Sequence, residues 1–345
     1  MFKIIKINLI VFFAILLLIE FYLKFFTNVN TASFFQKVNQ NYPVARFKSN
    51  IKKKFSREFN FKNLVINKIN NYGYVNDLDY NKNDTGVTAV IGDSYIEAFM
   101  VPNDKTIFGR LFNNNNIKAY SFGVSGAALP QYLAFSEFAL HEFNIDRLIF
   151  NIVGNDFDES ILKYKSSPGF HYFDQDNNFK KIRIDYKASP IKNLIRYSSL
   201  ANYLNSNINI KAIIKTKLLK KQYLENESNF SDEKYKLSYK AIDEFLKRLN
   251  EINLEKKNIT IIIDYIRFLI YEPDTIISDY NFYILKMFNY KEQQANKYGF
   301  CTINLKKTFE DDYKVNQKRF DWEFDSHWNE YGHLVAYNEY LEKCR

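Results

Sequence analysis

The chain begins with two lysines, Lys3 and Lys6, and then an apolar run. Fifteen of the twenty residues from Ile7 to Phe26 are Leu, Ile, Val or Phe, each favouring membrane insertion by about 0.3–0.6 kcal/mol at the helix centre. A run of about twenty residues is long enough to cross a bilayer. Glu20 and Lys24 interrupt it near its far end, where a charge costs least and can reach the interface. The pattern predicts an uncleaved transmembrane anchor over residues 1–26, N-terminus inside and body outside. A cleaved signal peptide is the competing reading. Its apolar region is usually about 7–15 residues, and Thr27-Asn28-Val29-Asn30-Thr31-Ala32 offers only a weak cleavage site. Residues 27–80 are polar and rich in Asn and Lys, and are expected to form a stalk and the entry to a domain spanning 81–345.

Within that domain the pattern alternates between short apolar runs and longer amphipathic ones. Gly86–Ile91, Ile117–Ser121, Asp146–Val153, Asn258–Tyr265 and Phe300–Leu305 read as strands. Asp104–Phe112, Leu129–Glu142, Ser231–Asn253, Tyr280–Tyr298 and Glu330–Lys343 read as helices, with Ser231 as an N-cap and Gly299 as a C-terminal stop. Strands that alternate with helices predict an α/β fold, a parallel sheet covered on both faces. The stretch from 157 to about 229 lacks either period and contains Pro168-Gly169 and Pro190; it is expected to be an insertion over the active-site edge, a lid.

Composition changes this picture little. Hydrophobic residues make up 46% and aromatic ones 18%, so the chain is not disordered. The net charge of +9 admits nucleic acid or an anionic membrane as partners. The lysines are scattered rather than striped, however, and no nucleic-acid motif is visible, so no nucleic-acid partner is expected. Four histidines and two cysteines show no metal-ligand spacing, and neither a metal nor a cofactor is expected. Cys301 and Cys344 either pair, closing a loop worth about 4 kcal/mol in the chain-entropy model, or remain two thiols.

Chemistry concentrates where predicted strands end. The first apolar run ends in Gly92-Asp93-Ser94, and a helix-compatible run follows. A serine there stands at the C-terminal edge of a sheet, where open α/β folds bind ligands, and at a helix N-terminus whose free N–H groups hold anions. Ser121-Phe122-Gly123-Val124-Ser125-Gly126 follows the second strand and Gly154-Asn155-Asp156 the third; Asp325-Ser326-His327-Trp328-Asn329 lies near the C-terminus. Each of these residues alone would pass as a helix cap, a turn glycine or a loop asparagine. Serine, glycine, asparagine and histidine in this order resemble the SGNH/GDSL hydrolase family, named for those four residues. The resemblance covers Gly86–Asp158 and Phe320–Leu334, is thin between them and is absent before Tyr72.

The resemblance implies the family's three-layer α/β/α fold with a flavodoxin-like parallel sheet. It also implies that Ser94 is the nucleophile, His327 its base, and that the Ser94 N–H, Gly123 and Asn155 form the oxyanion hole. Asp325 would orient His327. The commonest family pattern has its acid three residues before the histidine, where this chain has Phe324. Asp325, two before, resembles a membrane-anchored variant with Asp-x-His-Trp-Asn, and Asp321 or Glu323 could substitute. Of the other histidines, His141 lies in a helix pattern, His171 in the expected lid and His333 on the last helix.

The implied chemistry is acyl transfer through a Ser94 ester. Water as acceptor makes the protein an esterase; a sugar hydroxyl makes it an O-acetyltransferase. Anchored family members often act on O-acetyl groups of cell-surface polysaccharide. The expected substrate is therefore an acylated glycan or another ester, handled outside the cytoplasm, in the periplasm or at the cell surface. A third reading is a scaffold without activity that meets envelope glycan assembly proteins.

Overall fold

The computed structural model describes residues 2–209, 231–323 and 325–345. Helix α1 (Phe2–Phe26) is exposed along most of its length, touches the body near its C-terminal end, and of its side chains only Leu23 is buried. Its 25 residues extend about 37 Å at the α-helical rise.

Five strands form one parallel sheet: β3 (Val87–Gly92), β4 (Ala119–Gly123), β5 (Ile145–Ile152), β8 (Ile259–Ile263) and β9 (Cys301–Asn304). Their spatial order is β4-β3-β5-β8-β9, and every pairing is parallel. Counted along the chain this is 2-1-3-4-5, the flavodoxin-like order. All five are strands that the apolar runs predict. Alternation decides which face each side chain covers. Ala89 and Ile91 pack with Phe122, Phe150 and Ile261 beneath α4 (Leu129–Glu142) and the helices Asp232–Asn250 and Asp279–Lys297. Val90, Ile149, Ile262 and Ile303 face the other way, onto α3 (Ile107–Asn115) and the helices Leu305–Asn316 and Glu330–Lys343. Both faces are dry, as unbroken Val/Ile runs require.

The segment expected to be a stalk is instead packed onto this domain. It forms an antiparallel hairpin, β1 (Ile51–Arg57) and β2 (Lys62–Ile69), and Val44, Phe47, Ile69, Tyr74 and Val75 are buried in the core that holds the sheet. Its asparagines have a structural task. β4 is an edge strand, with free carbonyls on its outer side. The Asn76 side chain donates to the Ala119 carbonyl at 2.9 Å, and the Tyr80 hydroxyl donates to Ser121 at 2.6 Å. Asn67 donates to the carbonyls of Phe99 and Val101. A polar composition here marks a covered sheet edge rather than a free tether.

The expected lid divides. β6 (His171–Asp174) and β7 (Lys180–Arg183) form a second hairpin. Its Tyr172 and Phe173, with Phe170 and Phe179 beside it, are buried against the core under α4. Residues 190–207 form short helices beside α1 and β1, and only Ser206 among the described part, 157–209, lines a cavity with Ser94. Residues 210–229 of that segment, and Phe324, lie outside the described residues. Cys301 and Cys344 are joined in a disulfide, Cα atoms 5.8 Å apart, tying edge strand β9 to the end of the last helix.

Candidate active site

At the end of β3 the chain turns sharply into a single helical turn, α2 (Ser94–Glu97). Asp93 caps it: its carboxylate accepts from the Tyr95 N–H at 2.9 Å. Ala98 closes it in the left-handed region at φ 45°. The turn is tight enough that a Cβ on Gly92 would lie 2.4 Å from the Ile96 side chain. Ser94 therefore leads a helix N-terminus, where its own N–H has no intrahelical acceptor.

The serine hydroxyl lies 2.7 Å from Nε2 of His327. Nδ1 of the same ring is hydrogen-bonded to Oδ1 of Asp325, which also accepts the His327 backbone N–H at 2.9 Å. The second oxygen of Asp325 accepts from Arg57 of β1 at 3.0 Å. The structure thus brings Ser94, His327 and Asp325 into one chain of contacts. The two other candidate acids are placed elsewhere. Asp321 is held by Arg267, Arg319 and the Tyr271 hydroxyl, and Glu323 lies on a cavity wall.

Electrostatics suit a base. Burial works against a charged imidazole, but the Asp325 carboxylate bonded to it, with Asp93 and Glu97 further off, holds the His327 pKa above its ordinary value. For Asp325, burial works against the carboxylate, yet the His327 contacts and Arg57 outweigh it and hold the pKa below the ordinary value. Asp93 moves the other way, pushed up by complete burial despite the Tyr95 N–H. Its carboxylate lies 3.1 Å from the Ser94 hydroxyl, which thus has a second polar neighbour.

Of the expected oxyanion donors, Asn155 is brought to the cavity and Gly123 is not. Asn155, in the turn after β5, lines the same cavity as Ser94 and His327, and its side-chain amide donates to Glu159 at 2.9 Å. An amide has a second N–H to offer. Gly123 is not presented to a substrate. It is buried beneath α2, where a Cβ would lie 2.3 Å from the Glu97 nitrogen and 2.5 Å from the Ile96 carbonyl carbon. This glycine is required by the close approach of two backbones. The exposed part of that turn is Ser125, followed by half-exposed Gly126 with φ +84°.

Of the remaining histidines, His141 is exposed on α4. His171 bonds Gln131, and burial, with Lys181 and Arg183 adding to it, pushes its pKa down to about 3. His333 is enclosed against Trp328, and burial pushes it to about 3 as well.

Sequence reasoning misses the residues that hold the histidine. His327 lies on β11 (Asp325–Trp328), which among the described residues pairs only with the two-residue β10 (Asp321–Trp322). Arg267 secures it: its guanidinium contacts the Ser326 carbonyl, the Asp264 carboxylate and, at 2.8 Å, the Tyr95 hydroxyl. That hydroxyl donates to Ser326 at 2.6 Å, and the Trp328 indole donates to Asp264 at 3.0 Å. Asp264 follows the last residue of β8, so the rule that ligands gather at strand ends would have flagged it. Nothing local marks Arg57 or Arg267.

Two cavities open here, of about 490 and 460 Å³, and among the described residues Ser94 and His327 alone line both. The larger carries Tyr265, Phe268, Tyr280 and Trp322 with Arg319 and Glu323. The smaller carries Phe55, Phe99 and the buried pair Lys53 and Glu97. Burial pushes the Glu97 carboxyl up and the Lys53 amine down to about 8, each opposed by the other's charge. Among the described residues no group of His, Cys, Asp and Glu is placed to hold a metal.

No family model matches the chain, and no curated protein matches it. Several solved structures are similar in fold. One is a lipolytic protein of the G-D-S-L family from Veillonella parvula, 10% identical, with a TM-score of 0.39 over 74% of this chain and 96% of the other. LAE5, an alpha/beta hydrolase enzyme from the metagenome of Lake Arreo, is 13% identical, with a TM-score of 0.43 over 76% and 97%. The esterase EstA from Pseudoalteromonas is 11% identical, with a TM-score of 0.37 over 75% and 96%.

Proposed function

We propose that the protein is a serine esterase of the SGNH type that acts through an acyl-Ser94 intermediate. The observation that carries this reading is His327 standing between Ser94 and Asp325, Nε2 on the hydroxyl and Nδ1 on the carboxylate. His327 takes the Ser94 proton as the hydroxyl attacks an ester carbonyl. Asp325 keeps the ring in the right tautomer and stabilises its charged form. The Ser94 N–H and the Asn155 amide stabilise the oxyanion, and Gly126 replaces Gly123 as the donor from the β4 turn. His327 then returns the proton to the departing alcohol, and water, activated by the same imidazole, releases the acyl group.

The larger cavity fits an acylated glycan. Its aromatic side chains offer flat apolar surface for sugar C–H groups, and its carboxylates, guanidinium and amides offer partners for hydroxyls. The length and apolar character of the N-terminal helix support a reading in which this chemistry is held at a membrane with the body outside the cytoplasm.

The pair of cavities also favours a second reading, O-acyl transfer. Two spaces that, among the described residues, share just the nucleophile and the base can hold a donor and an acceptor at once. A well-positioned acceptor reaches effective molarities of about 10⁵ M or more, enough to outrun water. The deciding experiment gives the protein a chromogenic acetyl ester and follows intact mass. A one-acetyl adduct on the wild type, missing in Ser94→Ala, is expected. Its absence from both, with no alcohol released, would leave the fold as a scaffold. Label passing from the adduct to added oligosaccharide, rather than to free acetate, would make the protein a transferase.

A further inference from the structure

Glu20 is an acid inside an apolar run. The structure gives it partners: its carboxylate accepts from the Ser198 hydroxyl at 2.9 Å and from the backbone N–H groups of Ser199 and Leu200 at 2.7 and 2.8 Å. It caps the short helix Ser199–Asn202 and so fixes the body against α1 at a definite height. Glu20 is six residues before the end of α1 at Phe26, about 9 Å along the axis. The helix Pro190–Tyr197 ends one residue before Ser198 and therefore lies beside the last turns of the anchor.

That helix has no buried residue. Ile191, Leu194 and Ile195, spaced as one helical stripe, are 71%, 72% and 55% exposed, and Tyr197 is 62% exposed. Lys192 and Arg196 lie between them. Behind the helix, between α1 and the β1–β2 hairpin, is a cavity of about 340 Å³ lined by Lys24, Lys48, Lys52, Lys54 and Arg196 and, among the described residues, by no carboxylate. None of these five cations has an ion pair among the described residues.

We infer that this face is a lipid-docking surface: the helix Pro190–Tyr197 lies in the outer leaflet, and the cavity behind it takes an anionic phospholipid headgroup. Three observations point to a bilayer rather than a protein partner. The apolar stripe is exposed, as the side chains of α1 are. Its height matches the depth of about 5–10 Å at which interfacial helices lie. The cations stand where anionic headgroups would be, each worth roughly a fivefold gain near such a surface. The inference rests on α1 crossing the membrane. β1 forms one wall of this cavity with Ile51, Lys52 and Lys54, and carries Lys53, Phe55 and Arg57 towards Ser94 and Asp325. The docked body thus keeps the catalytic edge at the headgroup level, within reach of membrane-bound esters.

The test reconstitutes the full chain in vesicles of phosphatidylcholine and phosphatidylglycerol, with one lipid at a time brominated, and reads tryptophan quenching. Leu194→Trp should be quenched, more weakly than Val11→Trp at the bilayer centre. Brominated phosphatidylglycerol should quench it several-fold better than phosphatidylcholine at equal fraction. Lys48→Gln/Lys52→Gln/Lys54→Gln should abolish that preference and leave the Val11→Trp signal unchanged. Quenching at Val11→Trp with none at Leu194→Trp overturns the docking surface alone. Silence at both overturns the anchor, and the docking surface with it. Equal quenching by the two lipids overturns the headgroup site.

Discussion

The two halves of the candidate site are held in place by different means. Ser94 is fixed by the backbone: a central strand in register on both sides, a glycine that admits the turn, and an aspartate that caps it. His327 sits on a hairpin too short to hold itself, and its position is set by side chains that arrive from 57, 95, 264 and 267. A nucleophile placed by the sheet tolerates change around it. A base placed by a polar network fails when one member is lost, because each removal leaves buried partners unsatisfied.

Four substitutions probe that contrast, from the largest effect to the smallest. Asp325→Asn keeps the shape but lets the imidazole take the wrong tautomer; kcat should fall on the order of 10⁴-fold, read by steady-state ester hydrolysis. Arg267→Met should cost about 3–5 kcal/mol of stability, because Asp264 would remain buried without its cation. Urea denaturation measures this, and an unchanged midpoint would mean that β11 holds itself. Asn155→Ala, on the backbone-held side, should leave stability within about 0.5 kcal/mol. It should lower kcat about 10²–10³-fold, with KM little changed.

Arg57→Gln is the mildest, since the pair it breaks is partly exposed. Without that cation the Asp325 carboxylate holds the proton on His327 more strongly, so the His327 pKa should rise further. Activity requires the neutral imidazole. It should therefore rise with pH through a value above the ordinary histidine range in the wild type, and higher still in the variant. Stability runs the other way: the charged His327–Asp325 pair contributes fully below the unfolded pKa of about 6.5. That contribution is lost as pH climbs through the raised folded value. A pH–rate profile that does not move in Arg57→Gln would break the link between β1 and the base.

The same contrast explains what could be read without a structure. The five strands, their faces and the Ser94 turn are local patterns: Val/Ile runs that end at Gly92, Gly123, Asn155 and Asp264 all present their ends at one edge. Ser94, Asn155 and His327 could be named because each follows or precedes an element visible in the sequence. Gly123 misleads because a glycine needed for backbone crowding looks the same as one needed by a substrate; only the position of α2 over it separates them. The hairpins β1–β2 and β6–β7 escape notice because their apolar residues are spread among lysines and asparagines. The polar residues proved to be covering an edge strand, a role set by a neighbour far along the chain. Arg57 and Arg267 act across 268 and 59 residues, and no spacing rule reaches so far.

β1 has a practical bearing on how the protein can be shortened. Trimming it to the segment that carries the serine, asparagine and histidine, from residue 81 onward, would look conservative. It would retain every residue of the Ser94–His327–Asp325 relay and discard Lys53, Phe55 and Arg57. The product would be a sheet with an uncovered edge and an acid without its cation: insoluble in proportion to the first loss and sluggish in proportion to the second. The smallest soluble form worth making begins just after the anchor, near residue 28, because the domain boundary suggested by composition cuts through the working parts.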